Sequence, residues 1–171
     1  MSNVYWITGL SGAGKTTIGR LWYDELVKSG EPSVILDGDE LRRAINDDLG
    51  YSQEDRRKGA MRNARLCALL SKQNITVVCC TISMFDEVRE WNRANIPNYF
   101  EVYIKVTMDT LRQRDQKGLY SSGNNEIAGI GVCTELPKNP DLILDNDGDK
   151  SPLEQIEIFR ESVLNHKSQK G

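Results

Sequence analysis

The run Gly9-Leu10-Ser11-Gly12-Ala13-Gly14-Lys15-Thr16 fits the pattern G-x-x-x-x-G-K-[ST], and it names a chemistry directly. Glycines let the chain wrap around a phosphate without an obstructing Cβ. The backbone N–H groups then converge on the anion, and a following helix points its positive end at it. Lys15 reaches β- and γ-phosphates in such a loop, and the Thr16 hydroxyl ligates Mg²⁺. The loop, with Thr17 beside it, therefore predicts binding of ATP with Mg²⁺. Further on, Leu36-Asp37-Gly38-Asp39 closes an apolar run with two carboxylates. One can hold Mg²⁺, directly or through water. The other can accept a hydrogen bond from an attacking hydroxyl. An ordinary Asp titrates near 4 and is a weak base, but phosphoryl transfer mainly needs its nucleophile oriented. Asp39 is assigned to the hydroxyl and Asp37 to the metal shell; Lys15, Asp37 and Asp39 form the predicted catalytic set.

Arg42 lies three residues beyond Asp39, one helical turn on, so both can face one cleft. Tyr51 follows Gly50 at a corner that could present a ring to a base. Arg56 and Arg62, in a locally basic run, are the candidates for anion binding, because guanidinium forms paired charged hydrogen bonds with phosphate-like groups.

These residues need elements to hold them, and the pattern supplies a parallel α/β fold. Strands are predicted at 3–8, 33–36, 75–80, 100–106 and 142–144. Helices are predicted at 15–29, 39–47, 52–72, 86–95, 108–114 and 152–165. Ser52 with Asp55 resembles a capping box. Regular βα alternation gives a sheet covered on both faces, with ligands at the carboxyl ends of its strands. The 171 residues fit one domain. Residues 116–139 lack helix periodicity and form a candidate lid.

Bulk properties narrow the partners. A net charge of −3 argues against a nucleic-acid or membrane binder. The apolar runs are too short for a membrane span, and the N-terminus reads as a strand, not a leader, so a cytoplasmic protein is expected. Cys67, Cys79, Cys80 and Cys133 form no C-x-x-C pair and read as small apolar residues in a reducing compartment. His166 falls in a polar tail and reads as a surface residue.

Taken in order, these motifs resemble the adenylyl-sulfate kinase family over about residues 3–147. The series is Gly9 to Thr17, Leu36 to Asp39 with Arg42, Asp48-Leu49-Gly50-Tyr51-Ser52 with Asp55-Arg56, Thr81-Ile82-Ser83, Arg114-Asp115 with Lys117-Gly118-Leu119-Tyr120, and Asn139 to Leu142. The resemblance implies a P-loop kinase, three-layered α/β/α with a five-stranded parallel sheet and a lid. It implies transfer of the ATP γ-phosphate to a nucleotide 3′-hydroxyl. It places Arg42, Tyr51, Arg56, Ile82, Ser83, Lys117 and Leu119 with Asp39 around the acceptor, and Arg114 against the ATP base. A homodimer is common in the family.

The chain departs from the family where it holds the acceptor. Gly59 replaces an Asn, Met61 an Arg, Thr81 a Phe and Met84 a Pro. Residues 121–137 contain neither an aromatic nor a basic side chain, where the family carries both. Losing a stacking ring costs on the order of 1–3 kcal/mol per base. The reaction type is expected to persist with a changed acceptor. The chain looks like a subgroup that serves capsule phosphoramidate modification, whose acceptor is cytidine diphosphoramidate. Adenylyl sulfate is the alternative acceptor, and an ATP-binding regulatory protein a further one.

Overall fold

Successive residues of the first strand face opposite ways, and both sets are apolar. Val4 and Trp6 join one buried cluster, Tyr5 and Ile7 another. A strand buried on both faces belongs in the middle of a covered parallel sheet. The computed structural model places it there, and describes residues 2–115, 118, 120–121 and 133–170. The elements are β1 (Val4–Thr8), α1 (Lys15–Lys28), β2 (Ser33–Asp37), α2 (Gly38–Ile45), α3 (Gln53–Lys72), β3 (Thr76–Cys80), α4 (Asp86–Asn95), β4 (Tyr99–Lys105), α5 (Met108–Arg114), β5 (Leu142–Asp145) and α6 (Pro152–Lys170). The sheet has five strands in the order β2-β3-β1-β4-β5. Every pairing is parallel, with Trp6 beside Cys79 and Tyr5 beside Phe100 in register.

Helices cover both faces, giving the three-layer α/β/α architecture. On one face α1 and α6 meet over β1. Trp22 stacks on Phe159 at 4.4 Å, and Tyr5 meets Trp22 edge-on at 5.4 Å. Such pairs add about 0.5–1.5 kcal/mol each beyond their burial. On the other face α3 presents Ala60, Ala64, Cys67 and Ala68 to β3, and small side chains let that helix lie close. One glycine inside α1 has a packing cause. A Cβ on Gly19 would sit 2.1 Å from Cys80 Sγ, so only glycine lets α1 approach β3 here.

From β1 the chain passes to β2 at one edge, returns to β3, then crosses β1 to reach β4. The carboxyl ends of β1 and β3 therefore open onto a crevice where the connections diverge. Most predicted boundaries move by one or two residues, and the end of α6 moves by five. Helix α2 begins at Gly38, because Asp37 caps it, and α6 runs on to Lys170. His166 also differs from its expectation. It packs edge-on against Phe100 at 5.0 Å, with Nδ1 3.8 Å from Asp141 Oδ1.

Candidate active site

Residues 9–16 fold as a tight loop because two of its glycines take conformations that side chains disfavour. Gly12 has φ +81° and Gly14 φ +99°, and Gly14 is the N-cap of α1. Gly9 serves another purpose: a Cβ there would lie 2.7 Å from the Ile104 carbonyl oxygen, so it fits the loop against β4. Three long-range braces hold the loop's outer side. Asn146 Nδ2 donates to Ala13 O at 2.8 Å, and Tyr120 Oη donates to Ser11 O at 2.6 Å. Arg114 donates to Gly12 O at 3.5 Å and Asn146 O at 2.5 Å. Burial pushes the Tyr120 hydroxyl's pKa up, which keeps it a donor. Lys15 Nζ donates to Leu10 O at 2.8 Å, within the loop it serves.

Beside the loop, the end of β2 contributes one carboxylate with two partners. Asp37 Oδ2 accepts from Thr16 Oγ1 at 2.7 Å, and Asp37 Oδ1 accepts from the Asp39 backbone N at 2.9 Å. Asp37 thus caps α2 while touching the loop hydroxyl. Thr16 and Asp37 offer a hydroxyl and a carboxylate in contact, both hard oxygen donors. Among the described residues no cluster of three or more His, Cys, Asp or Glu could hold a metal. A site with few protein ligands fits Mg²⁺, which keeps waters and takes phosphate oxygens for the rest.

A cleft of about 640 Å³ runs from the loop across the sheet's carboxyl edge. It brings together Ser11, Gly12, Gly14, Lys15, Thr16, Thr17, Asp37, Asp39, Arg42, Tyr51, Arg56, Ile82 and Ser83 from the predicted set. Gly9, Leu10, Ala13 and Arg114 are not among its lining residues. Lys117 and Leu119 lie outside the described residues, as does the middle of the predicted lid. The described residues at the ends of segment 116–139 are tethered: Asp115 accepts from the backbone N of Tyr120 and Ser121, and Arg89 and Arg93 donate to Glu135 O and Asn139 O.

Arg42 and Arg56 organise the Tyr51 corner. Arg42 Nη2 donates to Leu49 O at 2.8 Å and Gly50 O at 2.9 Å, with its guanidinium carbon 4.0 Å from the Tyr51 ring centroid. Arg56 Nε donates to Tyr51 O at 2.9 Å. Tyr51 remains 59% exposed and lines the cleft. On the opposite wall Ser83 takes φ +30°, and its hydroxyl shares a 2.7 Å hydrogen bond with Thr81 Oγ1. Ile82 is held there by its carbonyl, which accepts from Thr8 Oγ1. An outlying φ of this kind clusters at ligand sites.

Some expectations change. Arg62 is absent from the cleft lining and is bound to Asp48 at 2.5 and 2.8 Å, with a further bond to Ile45 O at 3.1 Å. Its guanidinium ties α3 to the end of α2 and the turn after it instead of facing the cleft. Cys133 borders the cleft and is exposed, whereas the other three cysteines are buried. Cys80 also borders it, but burial pushes its thiol up to about 12, so it stays protonated. Asn46, Asn63, Phe85 and Asn146 were not singled out from sequence. Each acquires its place through contacts far along the chain, which local pattern does not carry.

The sequence model of the adenylylsulphate kinase family matches residues 1–145. The chain belongs to the adenylyl-sulfate kinase family. A cytidine diphosphoramidate kinase of Campylobacter jejuni is 39% identical over 159 residues, covering 91% of this chain and 93% of that protein. A probable adenylyl-sulfate kinase of Bacillus subtilis is 40% identical over 151 residues, covering 85% and 77%. The structure of the Mycobacterium tuberculosis adenylyl-sulfate kinase with AMPPNP and adenylyl sulfate superposes with a TM-score of 0.86 at 32% identity, covering 95% and 97%. The protein is an ATP-dependent small-molecule kinase of nucleotide substrates. Among the described residues no helix is long and apolar enough to cross a membrane.

Proposed function

We propose that this kinase transfers the γ-phosphoryl group of ATP to the 3′-hydroxyl of cytidine diphosphoramidate. The observation that carries the reading is the base-holding end of the cleft. Tyr51 is its one exposed aromatic among the described lining residues, and Gly59 adds no side chain where α3 lines the same cleft. The lid sequence 121–137 supplies no second ring. A small pyrimidine suits one ring better than a purine held by two. The Campylobacter relative, alike along nearly its whole length, supports the same acceptor.

Each residue then has a role. The loop from Gly9 to Thr17 holds the ATP phosphates, with Lys15 on the β- and γ-phosphates. Thr16 and Asp37 would hold Mg²⁺, which neutralises charge on the phosphates when bound. Asp39 accepts the hydrogen bond of the attacking 3′-hydroxyl and orients its oxygen. Arg42, Arg56, Ile82 and Ser83 seat the acceptor, with Tyr51 against its base. Arg114, bonded to the loop at Gly12 O, packs against the ATP base, and residues 116–139 act as the lid.

Thermal denaturation with saturating Mg²⁺–AMPPNP tests the acceptor by mass action. An acceptor present at a hundred times its Kd adds about 2.7 kcal/mol, roughly 5–10 °C for a chain of this size. Cytidine diphosphoramidate is expected to produce the larger shift at equal concentration. A larger shift from adenylyl sulfate would reassign the enzyme to that acceptor.

A further inference from the structure

The cleft that Tyr51 lines also contains an amide pair with no role in phosphate handling. Asn46, at the end of α2, and Asn63, on α3, both line the cleft and are more than nine-tenths buried. Asn46 Nδ2 donates to Asn63 Oδ1 at 3.1 Å. Among the described residues Asn46 Oδ1 is buried without a partner, while Asn63 Nδ2 donates to none of them and keeps some solvent exposure. A buried pair kept only for packing would be expected to satisfy its polar groups, because an orphaned one costs about 1–3 kcal/mol.

Its setting faces a ligand. Arg56, Gly59 and Asn63 recur at helical spacing on the α3 face that borders the cleft. A Cβ on Gly59 would come within 3.7 Å of the Asn46 amide, so glycine at 59 keeps a larger side chain from covering the pair. Asn63 Oδ1 has a second lone pair, and its Nδ2 is unengaged. Together they offer one acceptor and one donor side by side. That edge complements an exocyclic amine next to a ring nitrogen, as on cytosine or adenine, and mismatches the carbonyl and ring N–H of uracil.

The geometry points to Asn63 as the residue that reads the base of the acceptor nucleotide, with Asn46 as the positioning residue that fixes its amide. This rests on the cleft being the site of a nucleotide acceptor, and it names the edge that is read there. The selectivity it creates is for an amino-bearing base. Ring size is left to the Tyr51 corner and the lid.

The test loads the full-length protein with Mg²⁺–AMPPNP and titrates cytidine diphosphate and uridine diphosphate by calorimetry. The two share ribose and diphosphate and differ only at the amino-bearing edge. Wild type is expected to prefer cytidine diphosphate by roughly 5- to 150-fold, the discrimination one bidentate amide contact gives. Asn63→Leu and Asn46→Leu should each bring the ratio to within about twofold while AMPPNP affinity stays unchanged, which also reports a folded protein. A wild-type ratio near one overturns the assignment, and so does Asn63→Leu retaining the wild-type ratio. Adenosine and inosine diphosphates form a parallel pair. If those purines bind and the cytidine ligand does not, the cytidine reading falls. The amide assignment then stands if wild type favours adenosine over inosine and Asn63→Leu erases that preference, and falls otherwise.

Discussion

Asp37 offers a perturbation whose two consequences separate cleanly. Its Oδ1 caps α2 through the Asp39 backbone N, and its Oδ2 accepts from Thr16 Oγ1. Asp37→Ala removes the cap, which costs about 1 kcal/mol, or roughly 2–4 °C of Tm in a chain of this size. Asp37→Asn keeps a side-chain oxygen for the cap, and Asn caps as well as Asp. Its melting temperature should stay within about 1 °C of wild type. The charge beside Thr16 is gone in both variants. The Mg²⁺ concentration for half-maximal turnover should therefore rise on the order of tenfold or more in both. Thermal denaturation without nucleotide and ADP release across a Mg²⁺ series measure the two effects. If Asp37→Asn melts as low as Asp37→Ala, the cap is not what Asp37 contributes to stability. If both variants keep the wild-type Mg²⁺ requirement, Asp37 is not in the metal shell.

Three further expectations test other parts of the account. Arg56→Ala should raise the acceptor KM more than the ATP KM in steady-state assays; equal changes would move Arg56 away from the acceptor. Gly19→Ala should destabilise by about 1–3 kcal/mol through overpacking against Cys80. Adding Cys80→Ala should restore much of that loss in thermal melts, and no restoration would deny the contact. The Arg62 hydrogen bonds hold the Asp48 carboxyl below the usual carboxylate range. Stability from that pair is therefore present above the ordinary aspartate value of 3.8 and lost as pH falls through the lowered one. The Tm gap between wild type and Arg62→Met should close in acid, and a gap constant with pH would contradict the pairing.

Much of the fold is legible because it is written locally. The apolar runs at Val4 to Ile7 and Thr76 to Cys80 signal strands buried on both faces, and the loop's Gly14-Lys15-Thr16 announces the helix that follows. The carboxylates after β2 fall beside the loop because parallel strands deliver their carboxyl ends to one edge. What stayed hidden depends on distant contacts. Gly9 and Gly19 are explained by the approach of β4 and β3, not by phosphate or helix preference. Asn146 and Tyr120 brace the loop from 133 and 109 residues away. Arg62 reads as an anion ligand from its neighbours in sequence, but the turn after α2 puts Asp48 within its reach. The Asn46–Asn63 pair joins the end of α2 to the middle of α3, and no local pattern specifies how those helices are placed.

The central claim is the identity of the acceptor, and steady-state ADP release with each candidate tests it most directly. A kcat/KM for cytidine diphosphoramidate at least about tenfold above that for adenylyl sulfate is expected, since among the described residues the cleft holds one exposed ring where a purine clamp needs two. A kcat/KM favouring adenylyl sulfate would contradict it.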